Sequence, residues 1–130
     1  MAIKRPEQVK VNISWKEIDY ACDYITQQIK NSRKRFKNIY GLPRGGLVVA
    51  VILSHKLRIP NVVTSIIDTN LNETLVVDDI TDSGRTLLHF NGISKNIATL
   101  FRKKKSEVRP KFYYKIVPEK HWIVFPWEGV

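Results

Sequence analysis

Cysteine is nearly missing from this chain: Cys22 stands alone. No internal disulfide framework can form, and no zinc-like spacing of cysteine and histidine occurs. Long apolar runs are missing too. None approaches the length of a membrane span, and the opening MAIKRPEQVK lacks the apolar stretch of a signal peptide. Internal repeats, low-complexity stretches and obvious linkers are absent. Acid is scarce, with 12 Asp and Glu against 22 Lys and Arg, a formal net charge of +10. That excess of base suits an anionic partner (nucleotide, phosphate, nucleic acid or an acidic surface) without choosing among them. What remains is an ordinary soluble composition, 43% hydrophobic and 26% charged over 130 residues. It fits one domain with a modest core, with the cytoplasm as the default setting.

The pattern alternates between helix and strand periods. SWKEIDYACDYITQQIKNSRKRF reads as a helix, with Ser14 as N-cap and Glu17 three residues on. Ile18, Ala21, Cys22, Ile25 and Ile29 recur at helical spacing and would face the core. KNIYGL reads as a short strand, GGLVVAVILSHKL as a buried helix, and IPNVVTSII and ETLVVDD as strands. RTLLHFNGI is a short helix and NIATLF a further strand. Strands alternating with helices predict a parallel β-sheet flanked by helices, covered on both faces. The tail FYYKIVPEKHWIVFPWE is aromatic and broken by proline, an added element rather than another βα repeat.

Residues 75–87, LVVDDITDSGRTL, concentrate the scarce acid in front of a small polar turn. Residues 75–77 form a buried strand, with Asp78 and Asp79 at its C-terminal end, where open α/β sheets bind ligands. The turn that follows, with Thr81, Ser83, Gly84, Arg85 and Thr86, offers backbone N–H groups and hydroxyls at a helix start, which suits a phosphate. Carboxylates repel phosphate but accept hydrogen bonds from sugar hydroxyls. Together they fit a phosphorylated sugar. An acid-rich helix cap is the plainer reading, but it leaves the third acid and the Ser-Gly-Arg-Thr run unused. No G-x-x-x-x-G-K-[ST] loop occurs, so this is not a Walker site.

VVDDITDSGRT resembles the phosphoribosyl pyrophosphate (PRPP) signature of type I phosphoribosyltransferases. GLPRGGLVVAVILSHKL resembles the pyrophosphate loop and following helix of the xanthine-guanine and hypoxanthine-guanine members. SWKEIDYACDYI, TLFRKK and HWIVFPWE resemble their first helix, base-binding strand and C-terminal tail. The resemblance implies one phosphoribosyltransferase domain over residues 1–130, with a small C-terminal hood from about residue 102 onward. It implies transfer of a phosphoribosyl group from PRPP to a 6-oxopurine (guanine, hypoxanthine or xanthine) in purine salvage. The products are the nucleoside monophosphate and pyrophosphate.

By position, Asp78 and Asp79 match the acids that serve the ribose hydroxyls, directly or through Mg2+ and its waters. Asp82 matches the candidate proton acceptor near purine N7. Thr81, Ser83, Gly84, Arg85 and Thr86 match the 5′-phosphate loop. Pro43, Arg44, Gly45 and Gly46 match the pyrophosphate loop, where the family often carries a non-proline cis peptide, here Pro43–Arg44. Lys103 matches the lysine that meets the purine 6-oxo group, while Lys104 and Lys105 read as solvated charge. Trp122 matches the stacking aromatic, and Ile123 the residue whose backbone meets the purine edge. Phe125 and Trp127 are expected to pack, and His55, His89 and His121 form no usable pattern. A homo-oligomer, dimer or tetramer, is expected, because closed assemblies of identical chains are common.

The chain departs from the family at one place. Between the strands read in SIIDTNLNETLVV only residues 68–73 intervene, a hairpin-sized connection with no room for the family's long flexible lid. The short connection and the basic run KNSRKRFK favour a second reading, a PRPP- or nucleotide-sensing module that binds nucleic acid. The set Asp82, Arg44, Lys103 and Trp122 favours the enzyme, since a regulator has no need of purine-side residues.

Overall fold

The computed structural model describes residues 7–67, 69–81 and 96–129. Its centre is a five-stranded sheet in the order β3-β2-β4-β5-β6, with β2 Asn38–Gly41, β3 Val62–Val63, β4 Thr74–Thr81, β5 Ile97–Lys103 and β6 Phe112–Val117. Every pairing in it is parallel. The expected α/β architecture is what the chain adopts. A second, two-stranded sheet pairs β1 Val9–Asn12 with β7 His121–Val124, also in parallel.

Helix α1 runs Trp15–Ser32, and its start is set as its sequence indicates: the Glu17 N–H donates to the Ser14 hydroxyl at 3.1 Å. Ile18, Ala21, Cys22, Ile25 and Ile29 are all buried. Its end comes earlier than Phe36. Arg33 turns left-handed, φ 62, and its N–H returns to the Lys30 carbonyl. The Ser32 hydroxyl donates to the Ile29 carbonyl and accepts from the Lys34 N–H, so a local side chain replaces the next helical bonds. Helix α2, Gly45–Leu57, is apolar nearly throughout yet only half-buried: Val49, Ala50 and Leu53 face inward while Val51 is exposed. Lys56 joins the helices, with Nζ 2.8 Å from Asp19 and 2.7 Å from Asp23.

Both helices share one large cluster with Ile39, Leu75, Val77, Ala98, Phe101 and Phe112. A smaller cluster joins Leu42, Val76, Ile97 and Val108, with Tyr40 and Leu71 against it. The strand read in residues 59–67 is only two residues long. The Val62 N–H bonds back to the Pro60 carbonyl, and Ser65 accepts from Ile67, so both ends curl into local turns. The connection to β4 is therefore longer than expected, residues 64–73. A hairpin is excluded, because β3 and β4 are both parallel to β2 and lie on either side of it. The described part of this crossing is held down: Asn70 caps Asn72, and Asn96 donates to the Leu71 carbonyl at 3.1 Å.

The tail also differs from expectation. Phe112–Val117 is the fifth strand and an edge of the main sheet, with Lys115 and Ile116 exposed and the Gln28 amide donating to the Tyr113 carbonyl and accepting from the Tyr113 N–H. Only the residues beyond it make the separate layer. The helix read in RTLLHFNGI lies outside the described residues.

Gly41 shows how closely α2 sits on this sheet. A Cβ there would meet the Gly46 carbonyl and lie 2.8 Å from the Ala50 Cβ. We expect Gly41→Ala to lose about 1–3 kcal/mol of stability, as overpacked cores do, with an unchanged urea m-value. A neutral result would mean that α2 shifts freely on β2.

Candidate functional site

The C-terminal ends of β2, β4 and β5 open beneath the β1–β7 layer. Between them lies a cleft of about 830 Å³. Arg44, Gly45, Asp79, Lys103, Trp122 and Ile123 line it together, although they come from distant parts of the chain. Pro43, Gly46, Asp78 and Thr81 are neighbours in sequence of these residues but do not line it. Asp82, Ser83, Gly84, Arg85 and Thr86 lie outside the described residues.

The floor is built by glycine. The Leu42 N–H bonds the Val77 carbonyl at 2.9 Å, pinning the loop after β2 onto β4. The Pro43–Arg44 peptide is cis. Helix α2 then starts against the acids of β4. A Cβ on Gly45 would collide with the Asp79 carboxylate, and one on Gly46 would lie 2.6 Å from the Val77 carbonyl oxygen. A helix N-terminus and the Arg44 guanidinium thus face the cleft, two features that attract a polyanion.

β4 extends to Thr81, so Asp78 and Asp79 are strand residues rather than its end. Oδ1 of Asp78 accepts from the Asp79 N–H at 2.8 Å. Burial, and then the neighbouring Asp79 carboxylate, push Asp78 up to about 8. Burial also raises Asp79, and the Glu128 carboxylate adds to it. The Thr81 hydroxyl is buried with no hydrogen-bond partner, and so is that of Thr99, which pairs with Asp78 in register on β5.

Across the cleft, β7 presents a free edge. The Val9 N–H bonds Lys120 and the Ile13 N–H bonds Val124. With Val11 paired to Ile123 in a parallel register, the backbone groups of Trp122 and Val124 turn toward β1. Those of Ile123 turn away from it. Ile123 therefore offers one N–H and one C=O side by side, the complement of a lactam edge. Trp122 is half-buried at the cleft, with no ring contact among the described residues. Phe125 and Trp127 do pack, stacked at 4.9 Å and 4°. Trp127 also lines the cleft beside Gly45, as do Gln8 and Glu128; no local pattern marks these, since only the β1–β7 layer brings them here.

Lys103 lines the cleft at the end of β5. It is 3% exposed, and its Nζ donates to the carbonyls of Pro118 and Glu119, each at 3.0 Å, and of His121. His121 lines the cleft, while His89 is outside the described residues. Among the described residues no group of three or more His, Cys, Asp or Glu could hold a metal ion, and no helix is long and apolar enough to cross a membrane.

No family model matches the chain. It is 26% identical to a xanthine-guanine phosphoribosyltransferase of Cereibacter sphaeroides, over 98% of this chain and 92% of that protein. A purine phosphoribosyltransferase structure from Pyrococcus horikoshii superposes with a TM-score of 0.72 at 27% identity, covering 93% of this chain and 95% of the other. The xanthine-guanine-hypoxanthine phosphoribosyltransferase of Helicobacter pylori gives 0.78 at 21%, with 92% and 94% covered.

The raised Asp78 carboxyl has a testable sign. Below its ordinary value of 3.8, the folded and unfolded chains both hold the proton. Between there and about 8 the unfolded chain releases it while the folded chain keeps it, so stability falls as pH rises, and above about 8 the loss is complete. Asp78→Asn keeps the acceptor for the Asp79 N–H and removes the titration. In metal-free buffer it should stabilise the protein by about 2 kcal/mol or more near pH 8.5, and by much less near pH 4.5. Denaturant titrations at the two pH values decide; an equal gain at both would refute burial as the cause.

Proposed function

We propose that this chain, a type I phosphoribosyltransferase close to the 6-oxopurine enzymes, transfers the phosphoribosyl group of PRPP to guanine, hypoxanthine or xanthine in purine salvage. One observation carries the reading. A polyanion cradle, the half-buried Asp79 with Asp78 beside it in β4, an indole with no ring contact among the described residues and the outward edge of β7 come together at one cleft.

PRPP sits with its diphosphate over the loop of Pro43, Arg44, Gly45 and Gly46. Its ribose hydroxyls face Asp78 and Asp79. The 5′-phosphate meets Thr81, whose buried hydroxyl lacks a partner, and the residues that follow it, Ser83, Gly84, Arg85 and Thr86. The purine stacks on Trp122. Its 6-oxo group and adjacent ring N–H meet the N–H and C=O of Ile123. The bond from the anomeric carbon to pyrophosphate breaks, a purine nitrogen bonds to that carbon, and the displaced purine proton passes to Asp82. Positive charge builds on the ribose in between, as in glycoside cleavage, and carboxylates beside it lower that barrier.

The donor set fits Mg2+. Two adjacent carboxylates beside a diphosphate cradle supply the few protein oxygens this ion uses, with substrate oxygens and waters for the rest. Bound by Asp78 and Asp79 with the diphosphate, it would make pyrophosphate a better leaving group. Ionised carboxylates are needed for that, and burial opposes ionisation, so a bound cation would have to offset it. A cytoplasmic setting and a dimer or tetramer belong to the same proposal. The exposed rings of Trp15, Tyr20 and Tyr24 on α1 are apolar surface that a second copy would cover.

The direct test supplies PRPP, magnesium and each purine in turn, and follows nucleotide formation. Adenine should be a poor substrate, because its 6-amino group presents a donor to the Ile123 N–H. Trp122→Ala should raise KM for guanine by roughly 5- to 150-fold, the loss of one stacked base, with PRPP affinity barely changed. Asp82→Asn should leave PRPP binding intact and cut turnover by about 100-fold or more. Tight nucleotide or nucleic-acid binding without any transfer would instead favour the sensing module.

A further inference from the structure

Trp127 belongs to the turn after β7, and its ring is fixed by its neighbours. It stacks on Phe125 at 4.9 Å and 4°, and lies 5.8 Å from the ring of Trp15 at the start of α1. Phe125 is itself buried and meets Phe101 of β5 at 5.9 Å. The turn is closed twice. The Phe125 N–H donates to the Glu128 carboxylate at 2.9 Å, and the Glu128 N–H donates to the Phe125 carbonyl at 3.1 Å. Packing accounts for the ring but not for its nitrogen. Trp127 borders the cleft. A Cβ on Gly45, the first residue of α2, would strike the Asp79 carboxylate and lie 3.1 Å from the indole Nε1. The indole nitrogen thus stands at the meeting point of the α2 N-terminus and Asp79. Among the described residues nothing accepts a hydrogen bond from it, and it is not sealed from solvent.

We propose that the Trp127 indole N–H is a further binding donor for the diphosphate of PRPP and for the pyrophosphate it releases. This rests on the phosphoribosyltransferase reading of the cleft. An indole nitrogen donates and cannot accept, whereas ionised phosphate oxygens accept and cannot donate. The donor stands at the first turn of α2, where unpaired backbone N–H groups and Arg44 already favour an anion. Asp79, an acceptor at the same place, suits a ribose hydroxyl or a cation, so the two groups divide the ligand between them. A donor locked by stacking before the ligand arrives costs little ordering on binding. The diphosphate is then held from both walls of the cleft, by the loop of Arg44 below and by the turn after β7 above.

The test compares Trp127→Phe with the unmutated protein. The variant keeps an aromatic ring against Phe125 and removes the N–H. Calorimetry measures binding of inorganic pyrophosphate with magnesium, and separately of guanosine monophosphate, which carries no diphosphate. The pyrophosphate dissociation constant should rise about tenfold or more, the loss of one hydrogen bond to a charged group, while that of the nucleotide changes less than about twofold. Equal losses for both ligands, or no loss for pyrophosphate, overturn the proposal. If Trp127→Phe does not fold, the indole 15N spectrum of the unmutated protein decides. The chain has three tryptophans, and Trp15→Phe and Trp122→Phe identify the other two signals. A Trp127 indole proton that moves downfield when pyrophosphate and magnesium are added supports the bond. One that stays in place, or moves as far with magnesium alone, overturns it. Pyrophosphate binding that depends on Trp127 in a protein that transfers nothing to any purine would refute the enzymatic reading and leave the donor standing. Transfer activity with pyrophosphate binding indifferent to Trp127 would do the reverse. A protein that binds no pyrophosphate refutes both.

Discussion

The contact on which the site depends is between backbone and backbone, where the start of α2 presses onto β2 and β4. Gly41, Gly45 and Gly46 leave no side chain between the two layers, and a single added carbon at any of them would strike neighbouring atoms. That closeness places a helix N-terminus directly against Asp79. It also carries the Arg44 loop over the end of β4, where the Leu42 N–H secures it to Val77. Any wider spacing would separate the anion-attracting groups from the acids.

Two opposed demands meet at Asp78 and Asp79. A cation or a ribose wants them ionised; the packing around them favours the neutral acid. Both members are pushed above the ordinary carboxylate range, Asp78 to about 8. Burial thereby lowers the negative charge that a polyphosphate meets at Asp78, and the same burial costs the free protein stability at alkaline pH.

Much of this was legible in the sequence, for identifiable reasons. The start of α1 was readable because Ser14 and the Ile18 to Ile29 spacing are local signals. The central strands were readable because they are continuous apolar runs. Their ends were not: β4 and β5 extend to Thr81 and Lys103 because neighbouring strands pair with them there. β3 shrank for the opposite reason, as Pro60 and Ser65 offered the chain local bonds instead. β1 was missed, although Val9, Val11 and Ile13 alternate at strand period, because a four-residue strand counts for little until β7 lies beside it. Motif position singled out Arg44, Asp79, Lys103, Trp122 and Ile123, and the fold brings all five to one cleft. The carbonyls that Lys103 meets were not legible, because they belong to a turn that only the packing of β7 brings beside β5.

The two margins of the main sheet are unequal. On one side β3 offers two residues, too short to template another strand. On the other, β6 exposes only Lys115 and Ile116, the lysine ammonium lying 4.8 Å from the centre of the Tyr114 ring and 3.9 Å from Glu17. At Tyr113 the Gln28 amide already donates to the backbone carbonyl and accepts from the backbone N–H, as a neighbouring strand would. A strand from another chain would thus find one border of the main sheet too brief and the other partly occupied by a side chain of α1 and guarded by a lysine.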